Sequence, residues 1–168
     1  ALELNSLSKS HNMAGWRIGW VAGRKDYVEA VLRVKSNMDS GMFLGLQHAA
    51  VEALKSDSSW FEELNTVYRG RSVLARKLLK ELGCSYAEEQ SGLFVWAKAP
   101  HHVADVEKWI DEILYATKVF ITPGFIFGET GRRHIRVSLC APIEKLEEAI
   151  GRIQHWKEKT HTKAKATV

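Results

Sequence analysis

Residues 6–19 read SLSKSHNMAGWRIG and place a lysine, Lys9, in a short polar turn between serines. Ser6 and Ser8 offer hydroxyl groups, and Arg17 offers a planar guanidinium whose geometry suits phosphate. Two glycines near the arginine would let the backbone approach a ligand closely: Gly15 and Gly19. This combination of residue types favours an anion-binding turn over an ordinary surface lysine.

The neighbours of Lys9 suggest which chemistry its amine serves. A pyridoxal phosphate enzyme needs an amine that bonds to the cofactor aldehyde and separate groups that hold the phosphate. An alternative is the Ser-x-x-Lys motif of penicillin-binding proteins and β-lactamases, which Ser6 and Lys9 also satisfy. We disfavour it because the Ser-Asp-Asn and Lys-Thr-Gly motifs of that class do not occur later in the sequence.

The pattern Ser-x-x-Lys, followed by Gly-x-Arg-x-Gly, closely resembles the lysine signature of the class I/II (fold-type I) pyridoxal phosphate aminotransferases. The resemblance implies that Lys9 is the catalytic, cofactor-bonded lysine and that Ser6 and Arg17 bind the cofactor phosphate. It implies pyridoxal 5'-phosphate as cofactor and transamination of an amino acid with a 2-oxo acid. It also implies a homodimer for the full-length enzyme. The two cysteines, Cys84 and Cys140, have no CxxC spacing and favour a reducing, cytoplasmic compartment.

A second set of motifs extends the resemblance to the other half of the chain. Residues 92–96, GLFVW, are similar to the small-domain strand of the family, and residues 122–138 are similar to its closing segment. By that resemblance Arg136 binds the substrate α-carboxylate. Strand alternation supports this independently, because Ile135 and Val137 would face a core while Arg136 faces the other way and can meet a carboxylate bidentately.

The resemblance covers roughly residues 3–157 and predicts an α/β fold: a small C-terminal α/β domain of a fold-type I enzyme plus a remnant of the large-domain sheet. We expect residues 1–40 to end the cofactor-binding domain and to start the interdomain helix. Residues 41–157 are expected to form the helical linker and small domain, and residues 158–168 a disordered basic tail.

Local patterns predict the individual elements. A short apolar run bounded by glycines predicts a buried strand over residues 17–23. Helical spacing of apolar residues follows Lys25 and recurs over two later stretches, 46–54 and 61–82. Ser56–Ser59 offers an N-cap, Gly83 a helix end, and Pro142 the start of the last helix. Three strands are expected in the second half: Leu93–Ala97, Val119–Ile121 and His134–Cys140.

Composition excludes several classes of protein. With 168 residues, 45% of them apolar and 26% charged, the chain suits a globular fold rather than disorder. The net charge is +4, but four lysines and one glutamate within Lys157–Lys165 hold most of it, so the body is no nucleic-acid surface by charge. No apolar run is long enough to predict a membrane span, and no His or Cys spacing predicts a metal site.

We expect the groups that contact the cofactor ring to lie upstream of this chain and the isolated chain to have little or no activity. Within the family, residues 9–19 look most like the branch that acts on alanine, aromatic amino acids and diaminopimelate. Two alternatives stay open. One is a lyase or synthase of the same fold, such as an aminocyclopropane carboxylate synthase or a C–S lyase, and the other is a non-catalytic remnant module.

Overall fold

A computed structural model describes the backbone of residues 1–165 and the side chains of residues 1–160. It divides into two compact units, Ala1–Phe61 and Glu62–Val168. The division falls after Phe61. A helix beyond residue 40 belongs to the first unit because it buries its apolar side chains against the turn that carries Lys9.

The first unit contains two paired strands and two full-length helices. Strand β1 (Leu2–Ser6) runs antiparallel to β2 (Gly19–Gly23), and the four-residue helix α1 (Leu7–Ser10) follows β1 directly. Helices α2 (Lys25–Met38) and α3 (Leu44–Ala53) complete the unit, as the sequence predicts.

The prediction of a buried strand over residues 17–23 is wrong in both extent and burial. Strand β2 begins only at Gly19, because Arg17 has a left-handed backbone with φ of 55°. Within β2 only Val21 is partly buried, and the other residues of the strand are exposed. The exposure follows from the pairing, since β1 is the one strand that lies beside β2 in the described part of the chain.

The core of the first unit lies beneath the short helix instead. Leu7, Met13 and Ile18 are buried there, and Leu7 has no exposed surface. The apolar side of α3 packs against them through Leu46, Ala49, Ala50 and Ala53. Burial of Leu7 therefore holds α1 in place through the hydrophobic effect.

Helix α4 (Ser58–Glu81) begins within the segment where the sequence predicts an N-cap. The Asp57 carboxylate accepts a hydrogen bond from the backbone N–H of Trp60 at 3.2 Å, which satisfies a donor that the first turn leaves free. Gly83 follows the helix with φ of 73°, a conformation that glycine adopts without steric cost.

The second unit is built around a three-stranded antiparallel sheet in the order β3-β5-β4. Its strands are β3 (Phe94–Lys98), β4 (Thr122–Pro123) and β5 (His134–Ser138). The strand expected over Val119–Ile121 is displaced, because Ile121 is buried in the core and the backbone pairs with β5 only from Thr122 onward.

Three helices supply the remaining core of this unit: the C-terminal part of α4, α5 (Val106–Thr117) and α6 (Ile143–Lys165). Alternate residues of β3 and β5 face that core, which confirms the predicted α/β class. The core side chains from strands and helices include Val95, Ala97, Ile135, Val137, Leu78, Leu79, Ile110, Ile113, Ile150 and Ile153.

The last helix extends into the segment for which the sequence predicts a basic tail. Helix α6 starts directly after Pro142, as predicted, and its backbone remains helical through residues 158–165. That stretch contains no glycine or proline to end a helix. Residues 166–168 of the predicted tail lie outside the described residues. Among residues 1–165 no helix is both long and apolar enough to cross a membrane.

Candidate active site

Ser6 starts the turn that carries Lys9. It ends β1 and is the N-cap of α1, where its Oγ accepts a hydrogen bond from the backbone N–H of Ser8 at 3.1 Å. The Oγ atoms of Ser6 and Ser8 lie 2.9 Å apart, and the Ser6 hydroxyl lies 3.2 Å from the carbonyl oxygen of Ile18. The serine hydroxyl thus links the start of the turn to the residue that follows Arg17.

Arg17 lies at the other end of the same turn. It follows a short 3-10 turn, Ala14–Trp16, and its left-handed backbone redirects the chain into β2. The guanidinium is exposed and donates one hydrogen bond, from Nη1 to the carbonyl oxygen of Ala14 at 3.0 Å. Its other N–H groups make no hydrogen bond within residues 1–160 and remain available to an anion.

Lys9 lies between these two residues along the chain, in the last turn of α1. Its side chain is exposed, and within residues 1–160 it makes neither a hydrogen bond nor an ion pair. An amine without a carboxylate partner is free to react with an aldehyde. Ser6, Lys9 and Arg17 all belong to the connection between β1 and β2 and its borders.

Backbone packing fixes this connection. The N–H of Leu7 donates to the carbonyl oxygen of Ile18 at 3.3 Å, which closes the turn. Gly19 pairs with Ser6 in the strand ladder, and a Cβ at Gly19 would lie 2.5 Å from the carbonyl oxygen of Asn5. Glycine is therefore required at position 19, whereas a Cβ at Gly15 would meet no atom within 4 Å.

An aromatic cluster beside the lysine turn was not anticipated from the sequence. The imidazole of His11 stacks on the Trp60 ring with centroids 5.6 Å apart, and it meets the edge of the Phe61 ring at 5.3 Å. The Ser10 hydroxyl lies 2.8 Å from His11 Nδ1. The adjacent aromatic residues Trp60 and Phe61 are visible in the sequence, but their spacing does not predict that they contact His11.

Arg136, the predicted carboxylate-binding residue, lies in the second unit at the middle of β5. Ile135 and Val137 are buried, so Arg136 points to the opposite face of the sheet, as strand alternation predicts. Its Nε is buried without a hydrogen-bond partner, and within residues 1–160 it forms no ion pair. Its Nη groups make no hydrogen bond within residues 1–160 either, so the arginine keeps these donors free for a ligand.

Two phenylalanines contact the Arg136 guanidinium. Its Cζ lies 4.0 Å from the ring centroid of Phe94 on β3 and 4.2 Å from that of Phe127. Phe127 ends the first of two 3-10 turns, Gly124–Phe127 and Glu129–Gly131, within the glycine-rich loop before β5. Both phenylalanines belong to the sequence motifs that resemble the family, but the sequence predicts no contact for either.

The aromatic contacts continue along the outer face of the sheet. Trp96 is the register partner of Arg136, and its ring meets Phe127 edge-on with centroids 5.7 Å apart. The same Trp96 ring stacks on His134 at 5.2 Å with an interplanar angle of 13°. His134 Nδ1 is buried and has no hydrogen-bond partner.

The two units therefore carry different chemical groups. The first unit presents an amine, a hydroxyl and a guanidinium on one connection, which together suit a phosphorylated aldehyde. The second unit presents a guanidinium on an aromatic surface, which suits a carboxylate. The described residues contain no cluster of three or more His, Cys, Asp or Glu side chains that would hold a metal ion.

Comparison with known proteins identifies relatives that cover both units. The family model for aminotransferase class I and II matches residues 1–153. The LL-diaminopimelate aminotransferase of Halothermothrix orenii is 36% identical over 154 residues, which are 92% of this chain and 39% of that protein.

Solved structures agree with the family match. The aromatic aminotransferase of Pyrococcus horikoshii superposes with a TM-score of 0.86 at 28% identity, covering 95% of this chain and 43% of that one. A probable N-succinyldiaminopimelate aminotransferase of Thermus thermophilus gives a TM-score of 0.81 at 32% identity, covering 92% and 41%. The chain spans about two fifths of the length of these relatives, and it belongs to the class I and II aminotransferase family.

Proposed function

We propose that the protein that carries this chain is a pyridoxal phosphate-dependent aminotransferase, which moves an amino group from an amino acid to a 2-oxo acid. The observation that carries the proposal is the connection between β1 and β2, which holds Ser6, Lys9 and Arg17 at its borders and centre. The family match over residues 1–153 supports it.

The residues of the connection fit the cofactor. The exposed Lys9 amine has no competing partner within residues 1–160, so it is available to the cofactor aldehyde. The Ser6 hydroxyl and the exposed Arg17 guanidinium are groups that hold a phosphate. When bound, pyridoxal phosphate supplies a conjugated ring that accepts the electron pair released at the substrate α-carbon.

Each residue then has a defined task in the proposed reaction. With the cofactor held, Lys9 Nζ would take the proton from the substrate α-carbon as general base and would return it, as general acid, to the aldehyde carbon of the cofactor. Ser6 and Arg17 keep the phosphate in place throughout. Arg136 binds the α-carboxylate and so orients the substrate, which lowers the entropic part of the barrier.

The substrate class is also a proposal. Relatives named LL-diaminopimelate aminotransferase support an amino acid of that type, which carries α-carboxylates that a guanidinium can bind. We further propose that the full-length enzyme is a cytoplasmic homodimer. Light scattering of the native protein tests the dimer, because a single-chain mass would contradict it.

Covalent trapping tests the assignment of Lys9. The native protein is incubated with pyridoxal phosphate, reduced with borohydride and digested, and the modified lysine is located by mass spectrometry. We expect one equivalent of label on Lys9 and much less in Arg17→Ala. Lys25→Ala is the matched control, because Lys25 is an exposed lysine whose one ion pair within residues 1–160 is with Glu29. Label spread over many lysines would contradict the assignment.

Product analysis tests the reaction type. The native protein receives an amino acid labelled with ¹⁵N together with an unlabelled 2-oxo acid, and the products are identified by mass spectrometry. Appearance of ¹⁵N in a new amino acid, lost in Lys9→Ala, is the expected result. Release of ammonia or cleavage of a carbon–sulfur bond without amino transfer would instead identify a lyase.

A further inference from the structure

The guanidinium of Arg136 is held by aromatic rings rather than by an acidic side chain. Its Cζ lies over the rings of Phe94 and Phe127 at 4.0 and 4.2 Å, which we call the aromatic pair. A cation over an aromatic face is attracted by the quadrupole of the ring. The described residues offer Arg136 no carboxylate, so the aromatic pair is its main source of orientation.

This mode of support leaves the guanidinium ready to bind. A ring face engages the flat surface of a guanidinium, while the N–H donors lie in its plane and stay free. An Asp or Glu partner would occupy those same donors and would compete with a ligand carboxylate. The buried, unpartnered Nε of Arg136 shows that donors of this side chain remain unused.

Separate features of the chain fix the two rings. Phe94 is carried by β3, which pairs with β5. Phe127 is carried by the glycine-rich loop, and a Cβ added at Gly124 would lie 2.6 Å from the carbonyl oxygen of His134. The Phe127 ring also meets the edge of Trp96, so it is supported on a second side.

We propose that Phe94 and Phe127 are positioning residues that orient Arg136 toward the α-carboxylate of the substrate. The inference rests on the proposed function, in which Arg136 binds that carboxylate. Loss of one ring removes a contact of the size of a single cation–π interaction, which corresponds to about a 3- to 30-fold change in an equilibrium. The effect falls on carboxylate binding and leaves the chemistry at Lys9 unchanged.

The first test uses no substrate turnover. In the native protein, the Nε–H resonance of Arg136, assigned with Arg136→Lys, reports how firmly the guanidinium is held. We expect a resolved resonance in the wild type, broadening or loss in Phe127→Leu, and recovery in Phe127→Tyr, which keeps a ring. Phe120→Leu is the matched control, because Phe120 is 70% exposed and, within residues 1–160, its ring makes no cation–π contact with Arg136 and no ring contact with Trp96.

The second test compares two substrates of the same enzyme. For an amino acid, Phe94→Leu and Phe127→Leu are expected to raise KM about 3- to 30-fold with kcat changed less than about threefold. For the corresponding amine, which lacks the α-carboxylate, the same variants should have the KM and kcat of the wild type. Melting temperatures within a few degrees of the wild type, and rescue by Phe127→Tyr, separate positioning from misfolding.

The outcomes distinguish the two proposals. A wild-type protein that transfers no amino group overturns the proposed function, while the Nε–H resonance still decides whether the rings hold Arg136. An active wild type in which Phe127→Leu leaves both the resonance and the amino-acid KM unchanged overturns the role of the aromatic pair. An equal rise in KM for the amino acid and for the amine would also overturn the role of the aromatic pair.

Discussion

Gln90 hydrogen-bonds both backbone groups of Trp96, as a neighbouring strand would. Its Nε2 donates to the Trp96 carbonyl oxygen at 2.9 Å, and its Oε1 accepts from the Trp96 N–H at 2.8 Å. Strand β3 lies at the edge of the sheet, so these backbone groups face away from β5. The Gln90 side chain therefore satisfies the outward backbone groups of Trp96, next to the aromatic face that surrounds Arg136, while Ser85 pairs with Lys98 on the same edge.

Replacing Gln90 by Met should destabilise the fold. The substitution keeps the length of the side chain but leaves a partly buried N–H and C=O without partners, which costs about 1–3 kcal/mol. Urea unfolding measures the change. Gln47→Met is the control, because Gln47 makes one exposed hydrogen bond, to the Met42 carbonyl, and should change little. Equal effects of the two variants would contradict the role assigned to Gln90.

Gly131 should not tolerate a side chain. A Cβ at this position would lie 2.6 Å from the carbonyl carbon of Gly124, so Gly131→Ala forces the backbone of the glycine-rich loop apart. We expect a loss of about 1–3 kcal/mol in the free energy of unfolding. Gly151→Ala, in helix α6 with open space around its Cβ, should instead stabilise by about 0.5–1 kcal/mol. Thermal unfolding of both variants tests the contrast, and a stable Gly131→Ala would refute it.

Adjacent arginines should differ in their contribution to stability. Arg133 donates to two carbonyl oxygens, those of Val103 and, at 2.8 Å, Pro100, and ties the start of β5 to the turn before α5. Arg133→Met should cost about 1.5–3 kcal/mol, the range for hydrogen bonds from a charged group. Arg132 is exposed and, within the described side chains, forms an ion pair with Glu129 alone, so Arg132→Met should leave the midpoint of chemical denaturation unchanged. A larger loss in Arg132→Met than in Arg133→Met would reverse the assignment.

The two cysteines should react at very different rates. Burial raises the pKa of the Cys84 thiol to about 12, so almost no thiolate forms near pH 8. Cys140 is exposed. Ellman's reagent at pH 8 should therefore modify one thiol quickly and the second only after denaturant is added. In Cys140→Ser the fast phase should disappear; its persistence would show that Cys84 is accessible.

Glu81 should contribute to stability only above acidic pH. A hydrogen bond from Gln154, with help from the Lys157 ammonium, lowers the pKa of the Glu81 carboxyl in the folded state. A lowered folded pKa gives stability that is present above the unfolded value of 4.5 and is lost as pH falls through the folded value. The stability of the wild type should thus fall more steeply below about pH 5 than that of Glu81→Gln.

Glu63→Gln serves as the control for this pH dependence. Glu63 is exposed on the same helix, α4, and makes no ion pair within residues 1–160. We expect urea unfolding at several pH values to show that the free energy of unfolding falls with pH at the same rate in this variant and in the wild type. An unchanged slope in Glu81→Gln as well would show that the Gln154 contact does not favour the ionised carboxyl.

Sequence patterns predicted the elements whose signal is local. The helices after Lys25 and Pro142, and the N-cap before α4, follow from spacing and capping residues close together in the chain. The position of β4 could not be predicted locally, because a two-residue strand is defined by the strand that it pairs with. The exposure of β2 could not be predicted either, since burial depends on which strands lie beside it.

The residues of the candidate site also fall into those that local sequence predicts and those that it does not. Ser6, Lys9 and Arg17 could be named from the sequence because they lie within one short stretch with a recognisable spacing. The aromatic pair could not, because Phe94 and Phe127 meet at Arg136 only through the strand register and the fold of the glycine-rich loop. Contacts between distant residues need the tertiary structure.

The strand order β3-β5-β4 has a consequence for how the chain is made. The central strand β5 is the last of the three to be synthesised, and β3 ends at Lys98, forty residues before β5 ends at Ser138. At a synthesis rate of about 5–20 residues per second, β5 is completed about 2–8 s after β3, and Val95 and Ala97 have no partner strand during that time. This sheet therefore closes in one late step of translation, and a pause between residues 98 and 138 would prolong the exposure of its apolar face to chaperones and to other nascent chains.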